Sequence, residues 1–380
     1  MTRIARVILG ATLIAGPMVA SAQRYSVTEF AIAGSFDQVN SVGTTGFPAG
    51  AINNSGQAVG TTFSADDSFS QGIIWNGATP TSLTNPFAGT ASFANAINNR
   101  GQVVGGSFVN GIEYATVWNH GAPTLLGTVG STDDNSAVGI NNAGVVVGIS
   151  DGFATVWHGT TPTALPSLRG QGENVAYAIN DSGTIVGLSE SADFTGEHAV
   201  LWRGSTITDL GTLGGNYSQA IGINNAGQIV GIAAAVTNGP FQAFLYQDGK
   251  MTALGALPGG TVADSVASGI DSAGLIVGMT GPAGGRTEAT IWNGTTATDL
   301  NTLVVGELPT NYYLTDAIAI SPNGNILAAG LNAQTGQQIR LFVLTHAAPE
   351  IDSTSAAGAL TLLIGGLVVL RGRKQQGKGA

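Results

Sequence analysis

Short apolar stretches recur along this chain, and the same polar turn interrupts each of them. The sequence AINNSGQAVG occupies 51–60, AINNRGQVVG 96–105 and GINNAGVVVG 139–148. AINDSGTIVG follows at 178–187, GINNAGQIVG at 222–231 and GIDSAGLIVG at 269–278. AISPNGNILA at 319–328 is a worn seventh copy. Successive starts differ by 45, 43, 39, 44, 47 and 50 residues. A second motif trails the copies, as in IIWNGATPTSL at 73–83, VLWRGSTITDL at 200–210 and TIWNGTTATDL at 290–300. Each unit therefore holds four short β-like runs: one ending in A-I-N, the x-V-V-G stretch, one ending near Trp, and the T-x-L stretch.

The turns between the runs carry their own chemistry. In N-N-x-G the Asn side chain closes an Asx-turn, and Gly stands where φ must be positive. W-N-G-x-x is a second tight hairpin. Four locally joined strands at a period near 45 describe one blade of a β-propeller. A β-helix coil is about half as long, and no run has the 3.6-residue period of a helix.

The seventh unit has run one (Asp316–Ile320), run two (Asn325–Leu331) and run three (Gln338–Leu344), but no fourth. The missing run stands at the other end, where Tyr25–Phe30 reads YSVTEF and resembles the T-x-L runs. A borrowed N-terminal strand would complete the last blade, close the ring and remove its sheet edges. The predicted fold is thus all-β, a seven-bladed propeller of four-stranded blades over 23–346.

Both ends have the composition of addresses. Residues 1–22 carry Arg3 and Arg6, an apolar stretch, and the small residues Ala20 and Ala22 around Ser21. That is the pattern of a secretory signal peptide cut after Ala22. Residues 347–380 hold an uncharged apolar segment, Ala356 to Leu370, followed by Arg371, Arg373 and Lys374. Fifteen helical residues reach about 22 Å, short of a membrane core of roughly 30 Å. The basic cluster orients such a helix with the body outside. The order Pro349-Glu350-Ile351-Asp352, apolar helix and basic cluster resembles the PEP-CTERM sorting signal of Gram-negative bacteria. That resemblance implies an exosortase-type sorting enzyme, display at the cell surface or release, and an association with exopolysaccharide and biofilm. The repeats themselves resemble the HAF family of probable extracellular repeats. His198-Ala199-Val200 and Gln242-Ala243-Phe244 stand for its tripeptide, and TDLGTLGG is intact at 208–215. The family implies export through the secretion machinery and no defined activity.

Composition narrows the partners. Only 9% of residues are charged, and the net charge is −10. Between 23 and 348 there are 7 Lys and Arg against 21 Asp and Glu, a difference of −14. Such a body has no footprint for nucleic acid. There is no cysteine, so thiol chemistry and thiolate metal sites are excluded.

No catalytic set emerges. Gly148-Ile149-Ser150-Asp151-Gly152 matches G-x-S-x-G, but a nucleophile elbow needs a helix next and a strand-like FATVWHG follows. His120, His158, His198 and His346 recur at no ligand spacing. The Asn pairs could offer oxygens to calcium, yet turn closure accounts for them, and no cofactor is expected. Trp75, Trp118, Trp157, Trp202 and Trp292 share one repeat position, which predicts packing between blades.

Binding is expected where the repeat is irregular. The connections after run two and between blades lie on one face and vary in length, as recognition loops do. They carry Asp66, Asp67, Asp133, Asp134, Glu190, Asp193, Tyr217, Tyr312 and Tyr313, acids and aromatics suited to a polysaccharide. The function expected is a non-enzymatic surface or matrix binding module. The alternative is an extracellular polysaccharide hydrolase or lyase with its site at the propeller mouth.

Overall fold

The four-run unit folds as an antiparallel meander seven times over. In the fourth unit the strands are Asn174–Ile179, Ile185–Glu190, Glu197–Arg203 and Thr206–Gly211, hydrogen-bonded in that order. Units two, three, five and six repeat this order. The computed structural model describes residues 23–30, 51–63, 69–86, 91–130, 135–170, 172–193, 195–258, 265–281, 286–335 and 339–347. Within them the first sheet shows three strands, and Ile52 forms an isolated bridge to Ala58. One compact unit runs to Thr345. The second unit, His346–Ala380, falls almost wholly outside the described residues, as do the expected signal peptide with Ala20 and Ala22 and the sorting motif from Pro349 to Lys374.

The seventh blade closes as its missing run predicts. Strand Tyr25–Glu29 lies beside Arg340–His346, the third strand of that blade. Phe30 N–H donates to the Leu341 carbonyl at 2.9 Å, and Arg340 pairs with Glu29 at 2.8 Å. Tyr25 is fully buried in the core between blades six and seven. Phe30 stacks on Trp75 of blade one, with ring centroids 5.4 Å apart. The borrowed strand thus ties the last blade to the first.

Two details depart from the expected plan. Val304–Val305 pairs in parallel with Tyr25 and Ser26, giving the seventh sheet a fifth strand that covers the edge of the borrowed one. The innermost strand of blade seven also begins earlier than expected, at Tyr312. The Y-Y-L-T stretch is rich in strand-forming residues, and it pairs through Tyr312 with Asn332 and Tyr313 with Leu331.

A bulge in the innermost strand explains the last Gly of the repeat motif. In the second to sixth blades the register slips at one residue, as between Ala176 and Ala178, and in the seventh it slips twice. The bulge brings the strand's backbone against its neighbour. A Cβ on Gly187 would overlap the Val175 carbonyl oxygen, and Gly105, Gly148, Gly231 and Gly278 meet the same obstacle. The other Gly, that of N-N-x-G, has φ between 74° and 89° in all seven copies, as the turn requires.

Tryptophan performs the seam role read from its spacing. All five are fully buried. Trp118, Trp157, Trp202 and Trp292 each donate Nε1–H at 2.7 Å to a carbonyl that follows the outermost strand of the preceding blade, respectively Thr84, Gly127, Pro166 and Gly255. Tyr246 and Leu344 replace Trp at this register in blades five and seven.

Candidate functional site

The propeller has two mouths, at opposite ends of innermost strands about 20 Å long. The turn face is regular. Each A-I-N brings an isoleucine to the axis, so Ile52, Ile97, Ile140, Ile179, Ile223, Ile270 and Ile320 line a common funnel of about 140 Å³. Above them stand Asn98, Asn141, Asn180 and Asn224, then Asn99, Asn142, Asp181 and Asn225 at the rim.

The first Asn of each pair does two jobs. The Asn53 Oδ1 accepts the N–H groups of Ser55 and Gln57, both at 3.0 Å, which is the expected Asx-turn. Its Nδ2 crosses to the next blade and donates to the Asn98 carbonyl at 3.2 Å. Asn98 reaches Asn141, Asn141 reaches Asn180, Asn180 reaches Asn224 and Asn224 reaches Asp271 in the same way. A second ring lies outside it: the N–H of Asn54 donates to the Asn99 side chain, Asn99 to Asn142, Asn142 to Asp181 and Asp181 to Asn225. Asn323 closes the circle onto Asn54 at 3.0 Å. Periodicity within one repeat cannot show these bonds, because they join residues 39 to 47 apart, and 269 apart where Asn323 meets Asn54. Burial raises the Asp181 carboxyl, but hydrogen bonds from Asn142 and Asn225 outweigh it, and its pKa lies below the ordinary value.

The loop face is irregular. Of the residues expected there, Asp66, Asp67, Asp133 and Asp134 lie outside the described residues. Asp193 is exposed but engaged within its own loop: the Thr195 and Ser191 hydroxyls donate to it, and these bonds push its pKa down to about 2. Tyr312 and Tyr313 belong to a strand rather than a loop. Tyr313 lies under Arg286, 3.9 Å from guanidinium carbon to ring centre, and Tyr312 under Arg340 at 4.5 Å. Each is already engaged as a cation–π partner.

Glu190 and Tyr217 do come together, at the seam of blades four and five. Glu190 ends its strand and pairs with Arg169. Glu197 faces it across the hairpin, and a parallel bridge joins Glu197 to Tyr217. Burial, then the charges of Glu173 and Glu190, raise the Glu197 carboxyl pKa. Burial and Glu197 together push the Tyr217 phenol up to about 12. Tyr217 packs against Phe241 with centroids 4.9 Å apart, and Phe241 is 40% exposed. Beneath the pair, the Tyr217 hydroxyl donates to Gln219 Oε1 at 3.0 Å. The Gln219 side chain is buried, and its Nε2 has no hydrogen-bond partner. Sequence reading missed Phe241 and Gln219; both sit at strand positions where no other described blade carries the same residue.

The remaining motifs fall into structural roles. Ser150 of the G-x-S-x-G match is fully buried and donates to Asn135, and a two-residue turn leads directly into strand Phe153–His158. His198 bonds Asp209 at 2.9 Å across neighbouring strands.

No family model matches this chain, and no curated protein matches it. Among solved structures it is similar to TolB from Acinetobacter baumannii, at 11% identity and TM-score 0.38 over 76% of this chain and 63% of that one. A putative TolB from Agrobacterium tumefaciens aligns at 12% identity and TM-score 0.39, over 54% of this chain and 75% of that one. The tricorn protease aligns at 13% identity and TM-score 0.33, over 73% of this chain and 27% of that one.

Proposed function

We propose that this chain is an exported, non-enzymatic binding module that holds a polysaccharide on its loop face, at the seam of blades four and five. One observation carries the reading: a part-exposed aromatic pair, Tyr217 and Phe241, stands beside Glu190 and Glu197 and above the unpaired amide of Gln219. A sugar ring offers an apolar face to stack on such a pair. Its hydroxyls supply the donors that carboxylates accept and the acceptor that a buried amide lacks. The acidic body favours a neutral or cationic polymer over an acidic one. The signal-peptide pattern and the PEP-CTERM and HAF resemblances support an envelope or extracellular setting.

A second reading, a hydrolase or lyase at this mouth, draws on Glu197 alone, whose raised pKa beside Glu190 suits a general acid. The test is binding of the purified protein to a panel of bacterial polysaccharides, with reducing-end release followed in the same samples. Saturable binding that Tyr217→Ala and Phe241→Ala each weaken about tenfold, without release, supports the module. Stacking lost at one aromatic is worth roughly 1–3 kcal/mol by analogy with base stacking. Release of reducing ends that Glu197→Gln abolishes would replace it with the enzyme. A folded protein that binds no member overturns both.

A further inference from the structure

The turn face holds a cavity whose chemistry is unlike that of the loop face. We infer that the axial funnel is a binding site for a compact alkylammonium group, a cationic head bearing small apolar substituents. Its floor is the ring of isoleucines, with Ser268 the one hydroxyl-bearing side chain lining that floor. Above the floor, the first-ring Asn amides are already spent on the carbonyls of the next blade. The funnel contains no aromatic side chain, so it offers a sugar ring nothing to stack on. Its volume, about 140 Å³, matches the roughly 150 Å³ of an apolar cavity that accepts benzene.

Charge at the rim is asymmetric. Six of the seven copies have Asn, Ser or Pro at the second position of the turn; the fourth has Asp181. Asp181 is the one charged residue lining the funnel. Asn142 and Asn225 donate to its Oδ2 from either side, at 3.0 and 2.9 Å. These neutral donors fix the carboxylate at the rim without cancelling its charge. None of the ion pairs among the described residues involves it. Calcium or magnesium would need six or more oxygens and would find a single carboxylate above a ring of isoleucines. A neutral hydrocarbon would leave the carboxylate unused. An alkylammonium group satisfies both the floor and the rim.

The inference is independent of the loop-face reading, and its test separates the two. Binding of choline and of its neutral isostere 3,3-dimethylbutan-1-ol to the purified full-length protein is measured by calorimetry at low salt. Choline is expected to bind saturably and about twofold to fivefold tighter than the alcohol, the range of one exposed ion pair. Asp181→Asn, a residue that other blades carry at this position, is expected to erase that preference. Ile179→Trp, which fills the floor, is expected to abolish binding of both probes. Tyr217→Ala is expected to leave choline binding unchanged. Equal affinity for the two probes, a preference that survives Asp181→Asn, or no binding by the folded wild type would each overturn the inference.

Discussion

The two faces of the ring are built from the same seven units, yet they use opposite residues. On the turn face, what recurs does the work: Ile at the axis, Asn across the seam, Gly in the turn. A bond made by Asn98 is made again by Asn141 and Asn180 at nearly the same length. On the loop face, what recurs is only the strand ends, and the chemistry comes from exceptions. Tyr217, Phe241 and Gln219 have no equivalents in the other blades. The difference teaches that repetition in this chain encodes closure, and departure from repetition encodes recognition. Asp181 obeys the same rule from within the regular face, since it is the one copy with a charge at the second position of the turn.

That contrast predicts where substitutions cost stability. The largest effect is expected inside a seam. Trp202→Ala removes a fully buried indole and one of the two hydrogen bonds to the Pro166 carbonyl, the other coming from Asn174, so unfolding by denaturant should show a loss of about 4 kcal/mol. Asn141→Ala should cost less, about 2–3 kcal/mol. It deletes two turn-closing bonds and one inter-blade bond, each worth roughly 0.5–1.5 kcal/mol. A loss from Asn141→Ala as small as from a surface substitution would break the comparison, because the ring of amides would then be decorative.

A smaller effect sharpens it, because it has the opposite sign. Asp316 sits on the innermost strand of blade seven, where blades four and six have Val175 and Val266. Its Oδ1 is buried without a partner, and desolvation raises its pKa to about 6. A carboxyl raised in the fold is tolerated while protonated. Stability is therefore greatest below the unfolded pKa of about 4 and falls as pH rises through about 6. Asp316→Val should stabilise the protein by about 2 kcal/mol at pH 7.5, with the gain vanishing near pH 4. A gain that is equal at both pH values would assign the effect to packing instead of charge.

Much of the ring was legible because its evidence is serial. Seven copies of one motif and a last copy short of one run define both the blade count and the donor of the closing strand. The Trp series marked the seams, since a large side chain at one register in successive blades has the same neighbour each time. What could not be read was contact between units. The Nδ2 of Asn98 meets a carbonyl 43 residues away, and its local role in the Asx-turn already explains the residue. Val304–Val305 is too short to carry a period, and its partner strand lies at the far end of the chain. Tyr312 and Tyr313 looked like loop aromatics because the motif alignment begins after them. The candidate site was half legible: Glu190 and Tyr217 stood out as acid and aromatic in irregular connections. Phe241 and Gln219 were hidden inside strands whose register the sequence does not label.

The most direct test of this division of labour measures stability and polysaccharide binding together in two variants. Tyr217→Ala should lose about tenfold in binding and cost only about 1 kcal/mol of stability, the loss of a half-buried ring and of its bond to Gln219. Asn141→Ala should lose its 2–3 kcal/mol and, while folded, bind as the wild type does. If Tyr217→Ala instead destabilises the ring as much as Asn141→Ala should and leaves binding intact, or Asn141→Ala abolishes binding in a stable protein, the irregular face is scaffold, the regular face is the site, and the account is wrong.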